Sequence, residues 1–237
     1  MSDRATRLAG LYAAIAAAAG VLLSPLLALS YFGIPDGAEQ LDSGTVRAWA
    51  APARDLVGGL LTWAPPERVY ATYVQAFALI FPAVFLCARA VRARRPAARR
   101  NERWGWRVAV AGYGWAALGL LALLPLLISA PGGDTHAVNL VFLTLLLPGM
   151  FISAIGSTAL GIALLRSHYT PRLTPWLLTL AFPSMLIIPT VLGHNSLGMV
   201  PLIMAWGVSG IQLWRAHDQA SPGEIAPPLL PGHGRPA

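Results

Sequence analysis

Four polar residues in two connecting segments are the best candidates for chemistry: Asp134 with His136, and His194 with Asn195. A histidine beside a carboxylate can bind a metal ion or act as a general base. Both segments are predicted to lie at the same end of a helical bundle, where the residues could meet at its mouth. Polar residues are also ordinary in short aqueous loops, so that interpretation stays open.

Other patterns for catalysis are sparse. Gly207-Val208-Ser209-Gly210 matches the GxSG motif of rhomboid-type intramembrane proteases, but no later apolar segment supplies the histidine base, so we interpret it as helix packing. All seventeen basic residues are Arg, which excludes a Schiff-base lysine, and the single Cys87 excludes an intramolecular disulfide. No HExxH motif or carboxylate cluster is present. The sequence predicts no cofactor and no metal, and an enzyme is the less favoured class.

The composition predicts the elements that must position these residues. The chain is 56% hydrophobic and 11% charged, whereas soluble domains are about 25% charged. Six apolar stretches are each near the length that a membrane-spanning helix needs. They are residues 8–32, 69–88, 108–130, 138–165, 175–193 and 197–214. We therefore predict an all-α, multi-pass bundle of about six transmembrane helices, with residues 1–216 as the transmembrane domain and 217–237 as a disordered tail.

Arginines orient the predicted bundle. They precede the first stretch, join the second to the third and the fourth to the fifth, and follow the sixth. Basic loops stay on the cytoplasmic side, so both termini are predicted to lie in the cytoplasm, with the chain in the cell membrane. This distribution accounts for the formal charge of +7 without nucleic acid as a partner.

The basic loop between residues 89 and 107 has two interpretations. It holds eight arginines, each of which can contribute about 1 kcal/mol of attraction to an anionic membrane surface. They can contact anionic lipid, or they can serve only to fix topology. The candidates for lipid contact are Arg92, Arg94, Arg95, Arg99, Arg100 and Arg103.

Segment 33–68 is the only long segment predicted on the outer side. Val46, Trp49, Ala53, Leu56 and Leu60 recur at helical spacing, which predicts an amphipathic helix at the membrane interface. It is either a lid over a central cavity or a surface helix.

Small residues form a stripe on the fourth stretch. Gly149, Ser153, Ser157 and Gly161 follow at intervals of four residues, which lets another helix approach closely. The stripe predicts helix packing, either inside the chain, in a homodimer or with a membrane-protein partner.

Similar surroundings of the prolines suggest that the helices form three tandem hairpins. Leu123-Leu124-Pro125-Leu126-Leu127 resembles residues 22–27, and residues 147–154 align with residues 81–88. Separately, residues 161–166 (GIALLR), followed by Pro171-Arg172 and a further apolar span, resemble a pattern in small uncharacterised bacterial membrane proteins with about six helices. This resemblance implies a fold type and no activity.

Two functions follow as hypotheses. The first is a non-enzymatic membrane protein that assembles with a partner, or that binds or moves an apolar or lipid-like molecule. The alternative is a membrane enzyme that acts on lipid at the outer face through Asp134, His136 and His194.

Overall fold

The computed structural model describes residues 2–95, 99–129 and 140–218. Every regular element in these ranges is helical, as the sequence predicts. In chain order they are α1 (Asp3–Tyr31), α2 (Pro35–Ala38), a 3-10 turn (Glu39–Asp42), α3 (Gly44–Leu61), α4 (Pro66–Ala78), α5 (Ile80–Arg94), α6 (Arg100–Ser129), a π-helical segment (Phe142–Leu146), α7 (Leu147–Arg166), α8 (Leu173–Thr179), α9 (Ala181–Leu192), α10 (Asn195–Gly198) and α11 (Val200–Asp218).

Four of these helical stretches are long and apolar enough to cross a membrane. They are Asp3–Tyr31, Pro66–Arg94, Arg100–Leu126 and Phe142–Arg166. A fifth is obtained if α8 and α9, which are bent by 56°, form one broken span. The fold is thus that of a multi-pass membrane protein, and its described part contains four or five such spans rather than the predicted six. The sixth predicted stretch, α11, is not among the helices that meet this criterion.

Small residues bring α6 and α7 into backbone contact along an antiparallel pair. A Cβ atom added at Gly156 would lie 2.5 Å from the backbone N of Ala109, and one at Gly149 would lie 2.6 Å from the backbone N of Ala116. Gly112 meets Ser153 in the same way. Residue numbers rise along α6 as they fall along α7 at these contacts, as in any antiparallel pair. Small residues therefore line the contact at each successive turn.

Helices α1 and α11 form a second pair of this kind. A Cβ atom at Gly210 of α11 would lie 2.5 Å from the carbonyl oxygen of Gly10 in α1, and Gly207 is in contact with Ala17. The close neighbour of α1 from Gly10 to Gly20 is therefore α11, the last described helix, rather than the next helix in sequence.

Prolines break two of the apolar stretches. The first break separates α4 from α5 at Leu79, three residues before Pro82. The hydroxyl of Tyr12 donates to the Leu79 carbonyl at 2.6 Å. Pro82 has no N–H for the carbonyl four residues before it, that of Ala78, and the Tyr12 hydroxyl from a neighbouring helix bonds the next carbonyl at the break.

The second break separates α8 from α9, three residues before Pro183. The Thr158 hydroxyl of α7 lies 3.2 Å from the Thr179 carbonyl, to which it can donate, and accepts from the Phe182 N–H at 3.0 Å. One side chain therefore bridges both sides of the break.

Contacts across the chain define the two ends of the bundle. Arg94 pairs with Asp3 at 3.1 Å and Arg95 donates to Ser167 at 2.9 Å, which puts the N-terminus, the arginine loop and the turn after α7 at one end, called the arginine end. The other end holds Tyr31, α3 and the α9–α10 turn.

Helix α3 follows the predicted amphipathic segment only in its first half. Val46 and Ala50 are buried against Phe32, and the Trp49 indole N–H donates to the Leu192 carbonyl at 3.3 Å. Ala53 is partly buried against the same cluster, whereas Leu56 and Leu60 of the predicted stripe are exposed, Leu56 at 86%. The reason is Val57, whose φ of −110° and ψ of 18° interrupt the helix.

Candidate functional site

A cavity of about 480 Å³ opens between the helices at the end opposite the arginine loop. Its walls come from α1, the 3-10 turn, α4, α5, α6, the π-helical segment, α7, α9 and α10 with the residues that flank it. The wall residues are apolar in the interior, among them Phe77, Phe81, Leu120, Leu146, Met150 and Met199. The volume lies in the range of about 300 to 1,000 Å³ that is typical of small-molecule sites.

Polar and aromatic side chains surround the mouth of this cavity. The Tyr31 ring lies 5.6 Å from the Tyr70 ring and 5.1 Å from the His194 ring, centroid to centroid. Gln40 of the 3-10 turn and Asn195 of α10 complete this rim. An apolar interior with a polar rim matches the two ends of an amphiphilic molecule.

His194 is fixed by the start of α10. Its Nδ1 accepts a hydrogen bond from the Ser196 backbone N–H at 3.2 Å and lies 2.8 Å from the Ser196 hydroxyl. The Ser196 hydroxyl is also 2.8 Å from the Ser24 carbonyl of α1. Because a backbone N–H can only donate, this network assigns Nδ1 as an acceptor and places the ring proton on Nε2.

Burial lowers the pKa of His194 from 6.5 to about 4. Removing the imidazole from water disfavours its charged form. The ring is therefore neutral at pH 7, and no lining residue of the cavity is an Asp, Glu, Lys or Arg among those that the structure describes. The cavity thus has an uncharged lining.

The π-helical segment forms part of the cavity wall through Phe142 and Leu146. A π-helical turn widens a helix locally and often occurs at functional sites. Leu146 also marks the last backbone contact along α6 in this direction, because a Cβ atom at Gly119 would lie 2.9 Å from the Leu146 Cα. The segment therefore marks the boundary between tight packing and open space.

The structure brings two of the four outer candidates to one site. His194 and Asn195 both line the cavity mouth. Asp134 and His136 lie outside the described residues, as do residues 219–237 of the predicted tail. Within the described ranges, no cluster of three or more His, Cys, Asp or Glu side chains is arranged to hold a metal ion.

The small-residue stripe lies inside the chain. Gly149, Ser153 and Ser157 are buried, the first two at the contact with α6, and Ser157 is 2.6 Å from the Tyr113 hydroxyl of that helix. Gly161 instead faces Thr179 of α8. These residues are occupied by internal packing and are not on a surface that another subunit can reach.

The six arginine candidates divide into two groups. Arg92, Arg99, Arg100 and Arg103 are exposed and make no ion pair with any residue that the structure describes. Arg94 and Arg95 are engaged in the contacts of the arginine end, and the Arg95 guanidinium also lies 5.2 Å from the centre of the Tyr169 ring.

Sequence reasoning missed Glu102, which is 1% exposed. Its Oε1 accepts from Arg95 Nε at 3.0 Å and from the Trp106 indole N–H at 3.4 Å, whereas its Oε2 has no partner among the described residues. As the only acidic residue in a loop of arginines, it could have been recognised as an ion-pair partner. Tyr31 and Tyr70 were also missed, because nothing in their spacing distinguishes them from interfacial aromatics.

The described helices and the cavity define the class of this protein as an all-α, multi-pass membrane protein with an apolar cavity at one end. Comparison with protein-family models, with curated proteins and with solved structures finds no match for this chain.

Proposed function

We propose that this chain is a non-enzymatic membrane protein that binds or moves an apolar or lipid-like molecule, and that the cavity opposite the arginine loop is its binding site. The single observation that carries the proposal is the apolar cavity of about 480 Å³ with a polar rim. Tightly packed proteins leave few voids larger than a water molecule. An apolar cavity of this size, open at one end and bordered by two helix pairs that are elsewhere in close contact, is therefore better explained by a ligand than by loose packing.

The proposal includes six membrane crossings with both termini in the cytoplasm of a bacterial cell. The support for the sixth is the close packing of α11 on α1, a helix long and apolar enough to span, through Gly10, Gly207 and Gly210. The support for the orientation is the position of the N-terminus beside Arg94, in the basic loop. The cavity then faces the outer leaflet. An arrangement of tandem hairpins remains part of this proposal.

Two other functions have less support. A homodimer or partner contact through the stripe of α7 would need residues that are already packed against α6 and α8. A lipid-modifying enzyme would need a partner for His194, yet within the described ranges His194 has hydrogen bonds only to Ser196. The helix α3 contributes no lining residue, so the lid hypothesis rests on Gln40 of the preceding turn.

The test is to extract the protein gently with native lipids, weigh it by native mass spectrometry and identify what it retains. Val74→Phe places a larger side chain on the cavity wall, and Val191→Phe makes the same change at an exposed position of α9. We expect the wild type and Val191→Phe to retain the same bound molecule and Val74→Phe to lose it. Equal retention by both variants, or no retained molecule in the wild type, would contradict the proposal.

A further inference from the structure

We infer that the cavity selects an amphiphile whose head group is uncharged and accepts hydrogen bonds, and that Tyr70 and His194 are the donors that recognise it. This inference rests on the proposed function and adds the chemical class of the ligand. It concerns ligands such as a fatty ester, a long-chain ketone or a lipid quinone, which share a carbonyl acceptor and an apolar body.

The first donor is the Nε2–H of His194. The other ring nitrogen, Nδ1, already accepts from the Ser196 N–H at 3.2 Å. A 180° flip of the ring would therefore break the hydrogen bond by which His194 caps α10. Nε2 has no hydrogen-bond partner among the described residues, although His194 lines the cavity. His194 is partly exposed, so this donor is accessible from the cavity and can be used by an acceptor on a ligand.

The second donor is the hydroxyl of Tyr70. The two other tyrosines nearby are engaged, because Tyr31 donates to the Asp36 carbonyl at 3.0 Å and Tyr73 donates to the Leu60 carbonyl at 2.8 Å. The Tyr70 hydroxyl makes no hydrogen bond to any residue that the structure describes, and Tyr70 lines the same mouth as His194. The two free donors therefore belong to side chains whose rings both contact the Tyr31 ring.

The uncharged lining sets the class of head group. A cationic or anionic head buried here would have no opposite charge among the described lining residues, and an unpaired buried charge is strongly disfavoured. A head group that only accepts hydrogen bonds matches two free donors. The opposing consideration is the group of aromatic rings beside the acidic residues Asp36 and Glu39, which are exposed just outside the mouth and would favour a cationic head.

The test is photolabelling in lipid nanodiscs with a methyl ester of a diazirine-bearing fatty acid. The sites of labelling are mapped by mass spectrometry, and four competitors with the same twelve-carbon chain are compared: methyl dodecanoate, dodecane, dodecyltrimethylammonium and dodecyl sulfate. We expect labelling of α4 at the cavity, with the strongest competition by methyl dodecanoate, weaker competition by dodecane and none by the two charged competitors. Concentrations are expressed as mole fractions in the bilayer, so that differences in partitioning do not appear as affinity.

The deciding variant is Tyr70→Phe, which removes one hydroxyl that no described residue uses. Loss of a single hydrogen bond should weaken binding of the ester by about two- to tenfold and leave competition by dodecane unchanged. Tyr73→Phe is the matched control on the same helix, because the Tyr73 hydroxyl is already bonded within the chain and Tyr73 does not line the cavity.

The outcomes separate the inference from the proposed function. If the ester and dodecane compete equally and Tyr70→Phe labels like the wild type, the cavity binds apolar molecules but head-group recognition is refuted. Strongest competition by dodecyltrimethylammonium overturns the inference in favour of a cationic ligand. Absence of any label in the cavity contradicts the proposed function as well.

Discussion

Acidification tests whether His194 is held neutral at the cavity mouth. Burial lowers its pKa from 6.5 to about 4. Above pH 6.5 the imidazole is neutral in both the folded and the unfolded chain and has no effect on stability. Between pH 6.5 and pH 4 the unfolded chain binds a proton that the folded chain does not bind, so the free energy of unfolding falls as the pH falls. Below pH 4 the loss is complete.

The size of the effect follows from the same two pKa values. At pH 5 the loss is about 2 kcal/mol, because each pH unit between the two values is worth about 1.36 kcal/mol. For a chain of this size the melting temperature should then fall by about 4 to 8 °C. The wild-type profile contains the contributions of every titrating group in the chain, so it alone does not isolate His194.

His194→Asn provides the control. Asparagine is a good helix N-cap, so its side-chain oxygen can replace Nδ1 as the acceptor for the Ser196 N–H, and it does not titrate. Thermal unfolding of both proteins in the same detergent, followed by tryptophan fluorescence at pH 7.5, 6 and 5, gives the difference that belongs to the histidine. Between pH 7.5 and pH 5 we expect the melting temperature of the wild type to fall by about 4 to 8 °C more than that of His194→Asn. An unchanged gap would refute the assignment of a neutral, buried His194.

Three further perturbations test the packing and the arginine end. Gly156→Leu should separate α6 from α7, because even a Cβ would lie 2.5 Å from the Ala109 N; the measurement is the yield of monodisperse protein, which we expect to collapse. Glu102→Ala should cost about 1.5 to 3 kcal/mol, because Arg95 and Trp106 both lose Oε1 as their acceptor, measured as a fall in melting temperature. Arg92→Gln with Arg107→Gln should reduce co-purified anionic phospholipid severalfold, since both residues border one apolar surface groove; lipid mass spectrometry measures it.

Each of these has a matched control on the same chain. Gly59→Leu changes a glycine at which an added Cβ atom would meet nothing within 4 Å, so normal yield is expected there. Asp3→Ala removes an exposed ion pair, 3.1 Å long, which should cost less than about 1 kcal/mol. Arg172→Gln removes an exposed arginine outside the groove and should leave the lipid content unchanged. Equal effects in variant and control would contradict the corresponding explanation.

The helical class and most helix positions could be predicted from the sequence, because long apolar stretches without charge leave few alternatives in a bilayer. The positions of the breaks at Leu79 and Leu180 could not. A proline frees a carbonyl, but whether the helix bends there depends on a partner such as Tyr12 or Thr158 from another helix. Those partners lie far away in sequence and on a different helix, and nothing in the local pattern identifies them.

The candidate site could be predicted only in part. His194 and Asn195 stood out as polar residues in a short connection, and both lie at the cavity mouth. The role of Tyr70 depends on which neighbouring hydroxyls are already bonded, which is a property of the packed structure. Glu102 shows the same dependence, since its burial against Arg95 and Trp106 follows from the way in which the arginine loop returns to the bundle.

The position of the cavity nevertheless follows from where the small residues stop. The pair of α6 and α7 stays in backbone contact up to Gly119 and Leu146, and the pair of α1 and α11 stays close up to Gly20 and Ile203. Beyond these points, toward the end opposite the arginine loop, α1 has no glycine up to Tyr31 and α6 has none up to Ser129. Larger side chains hold both pairs apart over the same depth, and Leu27, Leu120, Leu123, Leu146 and Met199, which lie at or beyond those points, all line the cavity. The cavity is thus the space between two helix pairs that are closed at one end and open at the other, which is the geometry that a binding site entered from one leaflet requires.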